Sequence, residues 1–165
     1  MARSLRLVLS TPLLWLPLAC AGAADPVEST NAGMASLTSA KYADAYRSFN
    51  EAIEAMGPEH PQYVRARTGR AEAGAHFNPE QAVEDYLELA QSSAEVGGRE
   101  VEKFASVLKQ AGSYSQAVVL LDRASKLFPE DTHLRDLFEQ YERDASKEAS
   151  PAELETLAGL GYAGG

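Results

Sequence analysis

Apolar and small side chains recur at helical spacing through most of this 165-residue chain. In three aligned segments an alanine is followed four residues later by a large side chain and seven residues later by another apolar residue. Spacings of four and seven place side chains on one face of a helix. The alanine lets a neighbouring helix approach, and the large side chain fills the space beside it. The three sets are Ala45, Phe49 and Ala52; Ala82, Tyr86 and Leu89; and Ala117, Leu121 and Ala124.

Each of these helices is predicted to pair with an earlier helix that presents a small residue. Gly33, Gly69 and Ala105 precede the three aligned alanines by 12 or 13 residues. Small side chains at these positions suit the facing helix of a tight antiparallel pair. The sequence therefore predicts three helical hairpins.

Turn residues mark where the predicted helices begin and end. Asn78 is a predicted N-cap, with Pro79 at the first helical position and Gln81 placed to complete a capping box. Pro58 and Pro129 follow the first and third hairpins, where a helix must stop.

With this pattern the chain resembles the tetratricopeptide repeat (TPR) family over about residues 28–130. The resemblance implies an all-α fold: a short α-solenoid of about three helix-turn-helix repeats plus a C-terminal capping helix. The expected units are 26–58, 61–92 and 98–130, followed by a capping helix at 131–147. The family's Trp-x-x-Leu-Gly opening is absent from all three units. The residues that carry the resemblance are Gly33, Tyr42, Ala45, Phe49, Ala52 and Pro58, then Gly69, Ala82 and Tyr86, then Gly112, Tyr114, Ala117, Ala124 and Pro129.

The C-terminal part divides into the capping helix and a separate tail at 148–165. Asp131 is the predicted N-cap of the capping helix. Ser150 and Glu153 predict a capping box that starts a short helix ending at about Leu157, before a flexible glycine-rich ending. The last dozen residues resemble the tail of many secreted bacterial sulfatase-type proteins. We interpret them as a docking or packing peptide and not as a sign of sulfatase chemistry.

Residues 1–24 have the pattern of a signal peptide, because a basic start precedes an uncharged apolar run and then a stretch of small residues. Export to a bacterial periplasm is therefore expected. Cys20, the only cysteine, leaves two alternatives open. It could become the lipidated first residue and tether the protein to a membrane, or the leader could be cleaved in the ordinary way. We favour ordinary cleavage, because Pro17 departs from the lipobox pattern.

Charge and composition narrow the function classes. The net charge is −9, and without the leader 13 basic and 24 acidic side chains would leave −11. So acidic a chain repels phosphate backbones, which argues against nucleic acid as a partner. His60, His76 and His133 have no second ligand at metal-binding spacing. We therefore expect no enzyme, no cofactor and no metal.

In the TPR family the first helix of each pair lines a concave groove that grips a peptide or a partner helix. Carried over to this chain, the resemblance implies a groove lined by the first, third and fifth helices. Its candidate residues are Met34, Leu37, Tyr63, Ala66, Arg67, Arg70, Arg99, Glu102, Ser106, Lys109 and Gln110.

A basic stripe of Arg65, Arg67 and Arg70 stands out in this acidic chain. One hypothesis is that it accepts a carboxylate of the partner through charge-assisted hydrogen bonds. The alternative is that these arginines pair with acids of the same chain, namely Glu72, Glu84 and Asp85.

The expected function is an envelope adaptor that presents a TPR groove to another protein or peptide, without catalysis. Two alternatives stay open: self-association of a short repeat stack, and an accessory subunit of an exported hydrolase. Contact with a membrane is expected only through an N-terminal lipid.

Overall fold

A computed structural model describes residues 25–162, and this part of the chain contains eight α-helices and no strand. The all-α prediction is confirmed. The predicted signal peptide, Cys20 and residues 163–165 lie outside the described residues. The helices are α1 (Pro26–Thr38), α2 (Tyr42–Ala55), α3 (Tyr63–Gly74), α4 (Pro79–Ser92), α5 (Gly98–Gln110), α6 (Tyr114–Leu127), α7 (Thr132–Glu148) and α8 (Pro151–Leu160).

Three helices begin at side-chain caps, which satisfy backbone N–H groups that have no partner within the helix. The Asp25 carboxylate accepts a hydrogen bond from the backbone N–H of Val27. Asp131 caps α7, and Ser150 forms a capping box with Glu153 at the start of α8, both as predicted.

The predicted capping box of α4 is wrong. Asn78 stands at the N-cap and Pro79 begins the helix, but Asn78 makes no side-chain cap hydrogen bond. The Gln81 amide instead donates to Asp85 Oδ1 at 2.9 Å, one turn further along the helix. The Asn78 backbone N–H, which the Gln81 side chain would cap, already donates to the Gly74 backbone oxygen at 2.8 Å.

The tail is folded further than the sequence indicates. Helix α8 runs to Leu160 rather than Leu157, and Gly161 ends it in the left-handed conformation that glycine adopts without strain. The Tyr162 hydroxyl then donates to Asp122 Oδ2 in α6 at 2.7 Å. Glu153 also reaches α6, because its Oε1 accepts from the backbone N–H of Ser115 at 3.1 Å.

The helices pack in two rows. Helices α1, α3, α5 and α7 contact one another in that order, and we call them the odd-helix row. Helices α4, α6 and α8 likewise contact one another in order on the other side. Short connections fold consecutive helices back on each other, so α1 packs on α2, α3 on α4, and α5 on α6.

The aligned alanines and large side chains form the core between the rows. Ala45, Phe49, Ala52, Ala82, Tyr86, Ala117, Leu121 and Ala124 are all buried, as are Leu89 and Tyr114. Tyr42 is partly buried, Gly112 adopts a positive φ in the turn before α6, and Pro129 is exposed after α6 ends.

Phe49 of α2 packs directly onto the small residues of the odd-helix row. A β-carbon on Gly33 would come within 2.7 Å of two atoms of the Phe49 ring, and one on Gly69 would overlap the same ring from α3. The two glycines therefore give both odd helices a close approach to α2.

Candidate functional site

Two arginines of the basic stripe, Arg67 and Arg70, are held inside the fold. Arg67 is only 8% exposed. Its Nη2 donates to the backbone oxygen of Asp85 at 3.3 Å, and its Nη1 lies 3.4 Å from Glu88 Oε1. Arg70 donates to Asp85 Oδ2 at 3.1 Å and to Asn50 Oδ1 at 3.2 Å. These guanidinium groups connect α3 to α4 and α2, and they do not line an open groove.

The sequence offered three acids as partners for these arginines, and one of the three acid side chains pairs with Arg70 in the structure. Asp85 binds Arg70. Glu84 binds Arg123 of α6 instead, which lowers the pKa of the Glu84 carboxyl, mainly through the hydrogen bond from the guanidinium. Glu72 forms no hydrogen bond or ion pair within residues 25–162.

Two of the five candidate residues of α5 contact α7. Glu102 lies 3.2 Å from His133 of α7, and the Lys109 ammonium lies 3.3 Å from Glu148. Ser106 donates to a backbone oxygen of its own helix. In exposure, Arg65, Arg99, Lys109 and Gln110 are exposed, Tyr63, Glu102, Ser106, Met34 and Leu37 are partly buried, and Ala66 is buried.

A cleft of about 300 Å³ opens where three helices of the odd-helix row come together. Leu37 of α1, Glu72 of α3 and Val107 of α5 line it, and these positions are each 35 residues apart along the chain. One residue from each of three helices therefore lines a single site, which we call the odd-row cleft. Its other lining residues are Tyr42, His76 and Gln110.

One aromatic pair lines the odd-row cleft, and a second pair is formed by residues that follow it along the chain. The rings of Tyr42 and His76 are stacked, with centroids 3.4 Å apart and planes 8° apart. Beside them Tyr46 meets Phe77 edge-on, at 5.2 Å and 76°. Phe77 is 53% exposed, the most exposed large hydrophobic side chain among the described residues. Aromatic side chains so placed are typical of the anchor points of protein interfaces.

Glu72 provides the charge in this cleft. It is partly buried, and burial raises the pKa of its carboxyl, while Lys103 of α5 acts in the opposite direction. Burial lowers the pKa of the neighbouring His76, so this imidazole is mainly neutral near pH 7. At neutral pH the lining residues therefore carry one charge, the Glu72 carboxylate, which has no hydrogen-bond or ion-pair partner among residues 25–162.

Sequence reasoning named Glu72 only as a partner for the arginines and did not place it in a groove. Residues 37, 72 and 107 are equally spaced along the chain. Glu72 could have been found by comparing residues at this interval on the odd helices, but the comparison requires that the repeat length be known first.

A second cleft, of about 290 Å³, lies on the opposite side between α4 and α6. Its acids are already engaged within the protein: Glu84 by Arg123, Asp85 by Arg70 and Glu88 by Arg67. Most groups that line this cleft are polar and already have partners within the protein. The cleft therefore leaves fewer free contacts for a partner segment than the odd-row cleft does.

Within residues 25–162 no three His, Cys, Asp or Glu side chains come together in a group that could hold a metal ion. In the same part of the chain no helix has both the length and the apolar character needed to cross a bilayer. No family model matches the chain, and neither a curated protein nor a solved structure does.

Proposed function

We propose that this chain is an exported, TPR-like repeat protein that binds a segment of a partner protein in the odd-row cleft, without catalysing a reaction. The observation that carries the proposal is the cleft itself. Three successive odd helices each place a residue, Leu37, Glu72 and Val107, around one open site. Repeat proteins build binding surfaces in this way, with successive repeats adding residues to one face.

The packing between helices supports the TPR-like part of the proposal. Helices α1, α3, α5 and α7 contact one another in order, and so do α4, α6 and α8, as expected when hairpins of one kind stack side by side. The close approach of Phe49 to Gly33 and Gly69 supplies the small-to-large packing on which the family resemblance rests. Helix α8 covers the far end by burying Leu157 against Tyr114 and Val118.

The composition of the cleft supports a protein partner. Its wall combines two aliphatic side chains with the Tyr42 ring. Aromatic anchors surrounded by apolar contacts carry most of the binding energy in known interfaces. The cleft is open and its volume is at the low end of the range for small-molecule sites, so it suits a side chain presented by a longer segment.

Export belongs to the same proposal and rests on residues 1–24. If they direct export, the mature protein works in the cell envelope. The intact mass of the protein recovered from an envelope fraction tests this point. It distinguishes an uncleaved chain, a chain cleaved after the leader, and a chain that begins with an acylated Cys20.

Site-specific photo-crosslinking tests the binding site. A photoreactive amino acid replaces Gln110, an exposed residue of the odd-row cleft, in the full chain produced in its native cells. The matched control replaces Gln91, an exposed glutamine that lines the cleft between α4 and α6. We expect one discrete adduct from position 110 and none from position 91.

The crosslinked species also separates the alternatives. An adduct with a different protein supports the adaptor, and an adduct with a second copy of this chain supports self-association. No adduct at position 110, or the same adducts at both positions, contradicts the proposed binding site. A bulky charged replacement at Val107, Val107→Arg, should abolish the adduct if the segment enters the cleft.

A further inference from the structure

We infer that the odd-row cleft selects partner segments that place a lysine or arginine side chain against the Glu72 carboxylate. This inference rests on the proposed function, since it names the chemistry of the segment that the cleft holds. The aliphatic stem of such a side chain would lie along Leu37 and Val107, and its cationic head would reach Glu72.

The first argument is that the fold does not use the Glu72 charge. The carboxylate is partly buried, yet it forms no hydrogen bond or ion pair within residues 25–162. Other acids in partly buried positions are engaged: Asp85 binds Arg70, and Asp122 binds Lys126 and Tyr162. Burying a charge without a partner costs free energy. A residue that costs stability and serves no internal contact is typical of a functional site.

Charge complementarity favours a cationic group. Lys103 acts on the Glu72 carboxyl through its charge, but its ammonium lies 3.6 Å from Glu100 Oε1 and makes no ion pair with Glu72. The lining residues therefore offer one negative charge to an incoming group. The whole chain also has a net charge of −9, so an acidic segment is repelled and a basic segment is attracted.

The third argument is the shape of the lining. Long cationic side chains combine an apolar stem with a charged head, and they bury the stem along apolar surface. Here Leu37 and Val107 provide that apolar surface on either side of the carboxylate. Tyr42 adds an aromatic ring to the same lining, which gives an apolar neighbour in the segment a surface to contact. The preferred segment therefore has a basic residue close to an apolar one.

Peptide selection tests the inference. Random dodecapeptides displayed on phage are selected on the immobilised full chain, and enriched peptides are then synthesised and measured by fluorescence anisotropy. We expect enrichment of lysine or arginine beside apolar residues. The Glu72→Gln variant should bind the enriched peptides about tenfold more weakly, because a hydrogen bond to a charged group is lost. Glu72→Lys should select peptides with aspartate or glutamate instead.

A matched control removes the same charge away from the cleft. Glu54 is exposed near the end of α2, twelve residues from Tyr42 and thus about 18 Å further along the helix axis. Glu54→Gln should leave peptide affinity within about twofold, since it changes only the distant field of the protein. Circular dichroism at the binding pH shows that each variant is folded.

The outcomes separate this inference from the proposed function. Selected peptides without basic residues, or peptides whose affinity is the same for Glu72→Gln, overturn the inference. If they compete with the adduct at position 110, the binding function stands without the charge preference. No enriched peptide at all also overturns the inference, while the crosslinking result alone decides the proposed function.

Discussion

The ring of Phe49 lies where a side chain on Gly69 would stand. The two residues come from α2 and α3, and a β-carbon on Gly69 would overlap the Cζ atom of that ring. Gly33 of α1 has the same relationship to the ring from its other side. One buried phenylalanine thus sets how closely three helices approach.

The first prediction concerns this contact. Gly69→Ala should destabilise the protein by about 1 kcal/mol, because overpacking costs about 1–3 kcal/mol and the gain in helix propensity of about 1 kcal/mol offsets only part of that cost. Chemical denaturation monitored by circular dichroism measures the change. Phe49→Leu should cost less in the Gly69→Ala background than in the wild type, since the smaller side chain relieves the overlap.

A matched glycine supplies the control for that prediction. Gly159 lies inside α8, and a β-carbon there would meet nothing within 4 Å. Gly159→Ala should therefore leave stability unchanged or raise it by up to about 1 kcal/mol. Equal effects of the two substitutions would show that helix propensity and not the Phe49 contact decides the outcome at Gly69.

The second prediction concerns the pH dependence of stability. Burial raises the pKa of the Glu72 carboxyl in the folded state above its ordinary value of 4.5. The folded protein therefore binds this proton more tightly than the unfolded chain does. The favourable contribution is fully present below the unfolded pKa and is lost as the pH rises through the folded pKa.

Glu72→Gln should accordingly raise the melting temperature at pH 7 and have little effect below about pH 4. On other helices, the charge of Lys103 of α5 lowers the pKa of the Glu72 carboxyl. Glu72 and Glu100 of α5 both raise the pKa of the Tyr86 hydroxyl of α4. Melting curves from pH 3.5 to 8 measure the difference between variant and wild type. A stabilisation of the same size at every pH would contradict the raised pKa.

The third prediction concerns the end of the chain. Tyr162→Phe removes the hydrogen bond to Asp122, which then keeps only Lys126 as a side-chain partner. We expect a loss of about 1 kcal/mol and a fall of a few degrees in melting temperature. Tyr141→Phe is the control, because its hydroxyl makes no hydrogen bond to the described residues. Similar effects of both variants would argue against a specific role for the Tyr162 hydroxyl.

The Tyr162 hydroxyl also has a spectroscopic readout. Burial, together with the hydrogen bond to Asp122, raises its pKa to about 12. Ultraviolet titration of wild type and Tyr162→Phe should differ by one tyrosine that ionises near pH 12. A difference centred near pH 10 would mean that residue 162 is not docked on α6.

The fourth prediction concerns Glu153, whose carboxylate serves two helices. Its Oε2 accepts from the backbone N–H of Ser150 at 3.2 Å, and its Oε1 accepts from that of Ser115. Glu153→Ala should cost about 1–2 kcal/mol, because both helix starts lose an acceptor. Glu155→Ala, an exposed position on the same helix, should cost less than about 0.5 kcal/mol. Comparable losses would leave the bridging role without support.

The sequence predicts the helices well because their signals are local. The pairing of Ala45 with Phe49 and the N-caps at Asp131 and Ser150 depend on residues within one or two turns, and all of these positions behave as expected. The capping box at Asn78 fails because the Asn78 backbone N–H donates to the Gly74 oxygen at the end of α3. The capping pattern covers only residues 78–81 and does not include that acceptor.

The site is harder to predict because it depends on tertiary placement. Arg67 and Arg70 have the same sequence signature as surface cations, and only the packing of α3 on α4 shows that Asp85 and Glu88 hold them. Glu72 has the same signature as any acid on a helix. Its isolation becomes visible only when Leu37 and Val107 are known to flank it.

The bridge from Glu153 to Ser115 links the end of the chain to its middle. The N-cap of α6, Ser113, makes no side-chain cap hydrogen bond of its own. A ribosome releases the chain from its N-terminus onward, so Ser115 emerges 38 residues before the Glu153 carboxylate that accepts from it. Until Glu153 follows, the first turn of α6 has an open N–H, and the hydrophobic face of Tyr114 and Val118 lacks Leu157. The contacts at the start of α6 are therefore complete only when α8 has been synthesised.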